Sequence, residues 1–286
     1  MTIVEVLKLS ADYLQKHNSD SPRLDAELLL ASVLDLRRLD LYLKFDRPLS
    51  EPELAGYRGL IARRAKGEPV AYLTGHKEFM GLDFDVTPAV LVPNPDTEIL
   101  VQRAVELARE WHRPLRVADV GTGSGCIAVA IAHYARKTDV WASDLSAEAL
   151  EVAARNVAKH HVTDLVHLVR GDLMQPLTGE FDLICANLPY VAAGSKLPAE
   201  VTSQPAGALY ADEGGAALVN RLLDEAPSRL RPGGRVLAEL DPAITSAVTQ
   251  AAESKFAGHK LHRDLAGHER VLEAWSFIPT SSEPSA

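Results

Sequence analysis

The chain has 286 residues and carries 39 acidic side chains against 30 Lys and Arg, a net charge of −9 that argues against a direct nucleic-acid partner. At 47% hydrophobic and 24% charged, its composition is that of a globular protein long enough for two cores, and no apolar run approaches a membrane span. The only cysteines, Cys126 and Cys185, read as buried thiols of a cytoplasmic protein with no secretory signal, and the ten histidines show no metal-ligand spacing, so no metal is expected.

Residues 1–75 read as a helical domain. Ile3, Leu7 and Leu14 recur at helical spacing, and Ser21-Pro22 offers a cap followed by proline in the first turn. Ser50-Glu51-Pro52-Glu53 has the form of a capping box, opening a helix that carries Leu54, Tyr57 and Ile61. Arg63, Arg64 and Lys66 form a small basic group, either a solvated helix end or a partner contact. Residues 76–97 mix Gly, Pro and strand formers, from Phe79 to Val86 above all, and predict a β-hairpin linker with a connector over a ligand site.

A second domain is expected over 98–278. Arg116-Val117-Ala118-Asp119-Val120 is a short apolar run suited to a buried parallel strand. Gly121-Thr122-Gly123-Ser124-Gly125 then frees the backbone to turn and lets a ligand approach bare N–H groups. The apolar helix start at Cys126 follows, and its N-terminal dipole favours an anion. A dinucleotide fold would place its third glycine at position 126, and a phosphate-binding loop would supply a lysine. Neither is present, which favours a methionine carboxylate over a pyrophosphate.

Val140-Trp141-Ala142-Ser143-Asp144 is a second strand ending in an acid. Asp144 fits either a ribose diol or the cap of the helix that starts near Ala147. A third strand, Val166 to Asp172, closes on an acid that suits an adenine amino group, with Leu173 near the ring, or a solvated turn. The fourth, Phe181 to Ala186, delivers Asn187-Leu188-Pro189-Tyr190 to the same edge. There the Asn187 side-chain carbonyl and the Leu188 backbone carbonyl suit one NH2 group, Pro189 stiffens the turn and Tyr190 offers a flat face. An amide is a poor nucleophile, so orientation and carbonyl dipoles must supply the acceleration. Arg231-Pro232-Gly233-Gly234 predicts a turn before a fifth strand, Arg235 to Leu240. Lys260 to Asp264 and Arg270 to Trp275 predict a closing antiparallel pair, and Pro279 to Ala286 a disordered tail.

On Pro22 to Leu30, Gly67 to Gly75 and Val92-Pro93-Asn94-Pro95-Asp96-Thr97-Glu98, together with the glycine loop and Asn187 to Tyr190, the chain resembles the release-factor glutamine methyltransferases, the HemK/PrmC family. The resemblance runs from about residue 20 to residue 275. It implies an α/β fold, a doubly wound Rossmann-like class I methyltransferase domain behind an N-terminal all-helical domain that recognises the substrate. It also implies S-adenosyl-L-methionine as cofactor and the Gly-Gly-Gln glutamine of class-1 peptide release factors as acceptor. The cofactor would lie on Gly121, Thr122, Gly123, Ser124, Gly125, Asp144, Asp172, Leu173 and Asn187, and the glutamine on Asn187, Leu188, Pro189 and Tyr190. Three positions depart from the family pattern. Leu188 replaces the first of two prolines, Asn94 replaces an arginine, and Ser203-Gln204-Pro205 lacks the acid that precedes the proline. Leu188 also fits ribosomal RNA adenine methyltransferases, though these lack both the helical domain and the acidic balance seen here. A third reading is a silent cofactor-binding scaffold.

Overall fold

The computed structural model describes residues 1–276. The tail expected over 279–286 and the end of the domain expected over 98–278 lie outside the described residues.

The chain divides into two compact units, one formed by Met1–His76 with Val86–Pro88 and Lys196–Gln204, the other by most of the remainder. In the first unit, α1 (Ile3–Lys16), α2 (Pro22–Leu34), α3 (Arg38–Leu43), α4 (Glu51–Arg64) and α5 (Val70–Thr74) enclose a core that includes Ile3, Leu14, Leu30, Leu41 and Tyr57. Ser21 stands at the start of α2 with Pro22 in its first turn, but its side chain makes no capping hydrogen bond. At α4, the Ser50 N–H donates to Glu53 Oε2 at 2.8 Å, which satisfies one of the donors that a helix start leaves over. The basic group is not a free patch. Arg64 is buried and donates to Asp25 Oδ2 at 2.7 Å and to Glu200 Oε2 at 2.6 Å, while Arg63 pairs with Glu68. Removing one partner of such a pair leaves an uncompensated buried charge. Arg64→Ala is therefore expected to cost about 3–5 kcal/mol in chemical denaturation, whereas Arg63→Ala, at an exposed pair, costs at most about 1 kcal/mol.

In the second unit, β1 (His76–Phe79) and β2 (Leu82–Asp85) form the expected hairpin, turning through Met80 and Gly81 at φ 53° and 72°. After α6 (Glu98–Glu110) come β3 (Leu115–Val120), α7 (Cys126–Tyr134), β4 (Thr138–Asp144), α8 (Ala147–Lys159), β5 (Val166–Arg170), β6 (Phe181–Ala186) and β7 (Val191–Ala192). The chain then makes the single-turn α9 (Ala199–Thr202) within the helical unit. It continues with β8 (Tyr210–Ala211), α10 (Ala217–Glu225), β9 (Leu230–Glu239), α11 (Thr245–Glu253), β10 (Gly258–Arg263) and β11 (Glu269–Trp275).

The main sheet has seven strands in the order β10-β11-β9-β6-β3-β4-β5. β5, β4, β3, β6 and β9 run parallel, and β10 and β11 close the edge antiparallel, as the sequence predicts. Strand residues alternate between two cores. Val117, Leu183 and Leu237 face one, lined by α6 and α7, while Ala118, Ile184 and Val236 face the other, with α10 and α11.

Chain order runs outward from β3 through β4 to β5, then crosses to β6 and β9 on the other side. Order therefore reverses between β3 and β6, the place where open α/β sheets leave a crevice at the strands' carboxyl ends. Two expectations are corrected. Arg231 to Gly234 is not a turn before a strand but the first half of β9. Gly233 sits there at φ 74°, and the β6–β9 register slips between Phe181 and Leu183, so the glycine signal marks an irregularity inside the strand. The third strand ends at Arg170, which leaves Asp172 in the following loop.

Candidate active site

Strand register assembles the site. Val120 at the end of β3 pairs with Ser143 of β4 and with Ala186 of β6, and Ala186 pairs with Ala238 of β9. The residues just beyond, Gly121, Asp144, Asn187 and Glu239, consequently reach one edge. There Gly121, Asp144 and Asn187 border a cavity of about 430 Å³ whose lining also includes Thr122 to Ser124, Asp172, Leu173, Leu188 and Pro189, while Glu239 lies off it. That volume lies within the roughly 300–1,000 Å³ usual for small-molecule sites. Ala89 to Asn94 and Thr97 form another part of its wall, so the connector after the hairpin borders the same cavity.

The glycine loop is held from beneath. Gly121 N and Thr122 N both donate to Ser143 O, each at 2.9 Å. Thr122 Oγ1 donates to Asp119 Oδ2 at 2.6 Å, and Ala128 N at the start of α7 donates to the same oxygen at 3.1 Å. Gly121 has φ +75°, a left-handed conformation that favours glycine, and a Cβ there would stand 2.9 Å from Leu188 Cδ2, so the loop packs closely on the asparagine motif. At Gly123 a Cβ would meet nothing within 4 Å, which leaves the backbone open to an approaching ligand. Gly125 stands off the cavity. It precedes α7 at φ +81° and packs on Ala153 of α8.

Asp144 bridges loop and helix. One carboxylate oxygen accepts from Gly123 N at 2.8 Å and the other from Ser146 N at 2.9 Å. The cap of α8 is Ser146, whose hydroxyl accepts from Ala149 N, so Asp144 is not the helix cap. Asp172 lines the cavity while pairing with Arg221 at 2.7 Å. Leu173 takes the left-handed φ of 46°, its carbonyl accepting from Ser143 Oγ at 2.9 Å.

In the motif itself, Asn187 Nδ2 donates to Thr97 Oγ1 at 3.0 Å. Leu188 is buried against Ala118 and Val120, so leucine in place of proline fills the core beneath the loop. Tyr190 lies off the cavity, its hydroxyl 3.4 Å from Glu239 Oε1. Asn94 caps the turn before α6, its side-chain oxygen accepting from Asp96 N at 3.2 Å.

Four contributors escape a reading of the sequence. Thr97 and Glu239 anchor the motif. Asn156 of α8 donates to Ser124 O at 2.8 Å and to Asp85 O at 2.9 Å, tying loop and hairpin to one helix. Asp119 is 0% exposed, and its Oδ1 has no hydrogen-bond partner among the described residues. Burial pushes the Asp119 carboxyl up to about 7, against the opposing hydrogen bonds from Thr122 and Ala128. An acid ending an apolar strand, the signal that singles out Asp144, is also present at Glu239.

Because the folded pKa of Asp119 lies above its ordinary value, its proton binds more tightly in the folded chain. Stability is then full below the ordinary value and falls as pH rises toward 7. Denaturation midpoints measured at pH 5 and pH 8 should differ in the native chain. Asp119→Asn should flatten that difference by about 2.5–3 kcal/mol, at roughly 1.4 kcal/mol per pH unit between pH 5 and the folded value of about 7. An unchanged pH slope would contradict the assignment.

The PrmC N-terminal domain model matches residues 5–75, and the methyltransferase small domain model matches residues 95–208. A release factor glutamine methyltransferase of Rhodopirellula baltica is 41% identical over 95% of each chain. Another, of Moorella thermoacetica, is 38% identical over 96% of this chain and 99% of its own. Among solved structures, a methyltransferase from Pyrococcus furiosus is similar in fold, with a TM-score of 0.53 and 22% identity over 76% of this chain and 98% of that one. With relatives this similar along nearly their whole length, the chain belongs to the release factor glutamine methyltransferase family.

Proposed function

We propose that the protein methylates the side-chain amide nitrogen of a glutamine in peptide release factors, the Gly-Gly-Gln glutamine of class-1 factors by family resemblance, with S-adenosyl-L-methionine as donor. The observation that carries this reading is the direction of the Asn187 amide. Its NH2 end is committed to Thr97, which leaves the carbonyl end as an acceptor beside the cavity.

The residues present fit the donor. Asp144 is a carboxylate at the end of β4 on the cavity wall, suited to a ribose diol, and the open space at Gly123 beside it admits a ligand. Asp172 and Leu173 border the same space, with a polar and an apolar group for a base. The cofactor supplies a methyl group on a positively charged sulfur, which is electrophilic without help from a metal.

The chain's own contribution is orientation. Asn187 Oδ1 and the Leu188 carbonyl both accept from the NH2 of the target glutamine and turn its nitrogen toward the methyl group. Methylation would place positive charge on the amide nitrogen. The two carbonyl dipoles stabilise that charge more in the transition state than in the ground state. The proton then leaves to solvent, so no strong base is required.

Purified protein, methyl-labelled S-adenosyl-L-methionine and a release factor test the reading directly. Label should enter the intact factor but not a copy whose Gly-Gly-Gln glutamine is alanine. Label on neither would turn attention to ribosomal RNA. Asn187→Ala should lower kcat by about 10²-fold or more with little change in cofactor affinity, since a transition-state contact is lost. Asp144→Ala should weaken cofactor binding by roughly tenfold, about 1.4 kcal/mol. Calorimetry with the cofactor alone separates the two roles.

A further inference from the structure

We infer that Arg221 of α10 is a positioning residue for base recognition: by holding one oxygen of Asp172 it presents the other to the exocyclic amino group of the cofactor's adenine, and so sets a preference for an amino-bearing base. The role presupposes the cofactor proposed above.

Helical spacing brings three side chains of α10 to one loop. Leu218, Arg221 and Glu225 stand three and four residues apart, on one face of the helix. Leu218 lines the cavity, Arg221 Nη2 donates to Asp172 Oδ2 at 2.7 Å, and Glu225 Oε2 accepts from Met174 N at 3.3 Å. The loop after β5 is therefore gripped on both sides of Leu173. Leu173 lines the same cavity at φ 46°, a left-handed conformation that a residue with a side chain keeps only when its surroundings hold it. From the other side, Ser143 Oγ donates to Leu173 O at 2.9 Å, and Gly171 N donates to Asp144 O at 3.0 Å. Strands on one side and α10 on the other thus fix a strained loop at the cavity wall.

The chemistry of the pair follows from its donors and acceptors. A carboxylate only accepts, so it bonds an amino group and has nothing to offer a ring carbonyl oxygen. Arg221 occupies Oδ2, and Oδ1 meets no donor among the described residues, which leaves it for a ligand in the cavity that Asp172 lines. Without Arg221 the carboxylate keeps its charge but loses the contact that holds its rotamer, and binding must then order it. The pair itself adds little to folding, because Arg221 is 44% and Asp172 38% exposed at the side chain. Its loss should register in ligand binding and leave stability nearly unmoved.

The test measures calorimetric affinity of the full chain for S-adenosylhomocysteine and for an analogue with hydrogen in place of the 6-amino group. The native chain should prefer the amino form by about tenfold, as a site does whose polar group would otherwise stay unpaired. Arg221→Met should weaken the amino form about fivefold and leave the analogue within about twofold, which shrinks the preference. Arg221→Lys should recover part of it. In methyl transfer the loss should fall on KM for the cofactor rather than on kcat. Asp172→Asn gives a second reading. With Arg221 donating to the amide oxygen, the NH2 faces the cavity, and preference should turn toward an analogue with a 6-oxo group; adding Arg221→Met should abolish that reversal. An unchanged preference in Arg221→Met would overturn the inference. So would an equal loss for both ligands, or a lower melting temperature to match, either of which marks a structural role. A native chain that binds S-adenosylhomocysteine without favouring the amino form overturns it too, whereas one that binds neither ligand sinks the cofactor reading above.

Discussion

Parallel pairing of β3, β6 and β9 is the constraint on which the rest of the site depends. Val120 beside Ala186, and Ala186 beside Ala238, bring three loop starts to one edge of the sheet. Strand side chains alternate between faces, so a slip of one residue would carry Asn187 or Glu239 to the opposite side and expose half of a core to polar groups. The two apolar clusters that flank these strands hold the register, and so the buried surface of the domain aligns the polar groups at its edge.

That edge is costly in stability. Asp119 and Glu239 are both buried, each has one carboxylate oxygen without a hydrogen-bond partner among the described residues, and burial raises the pKa of each. An interior chosen for stability alone would carry apolar groups there. Polar groups fixed in advance are what an amide acceptor needs, since the transition state differs from the ground state mainly in charge on nitrogen.

The connector from Asn94 to Glu98 joins these parts. Asn94 caps the turn, Asp96 pairs with Arg270, Thr97 receives Asn187, and Glu98 accepts from Met80 N of the hairpin. Departures from the family pattern find local accommodation in the same way. The Leu188 side chain fills space beneath Gly121, and Asn94 uses its short amide to cap where a longer cation would have to reach elsewhere. After the motif, the chain folds into the helical unit, where Arg64 receives Glu200. Charge in the helical unit thereby serves its own architecture at Arg64, a role that the composition of the Arg63–Lys66 stretch does not reveal.

The amino-acid sequence by itself determined the features whose physics is local. A β-branched run, three glycines and an apolar helix start define the loop at Gly121 to Gly125 within one short segment. An acid or asparagine ending an apolar run marks Asp144 and Asn187 in the same manner. What only the tertiary structure decided is which distant residues complete these signals. Thr97 meets Asn187 across 90 positions, and Tyr190 meets Glu239 across 49. Threonine after proline and aspartate looks like a helix start, and glutamate after an apolar strand looks like a strand end, because a hydrogen bond between segments leaves no periodicity in either. Asp119, concealed within an apolar run, and Asn156, on the buried face of an amphipathic helix, are legible only once packing has removed water and required each polar atom to find a partner within the fold.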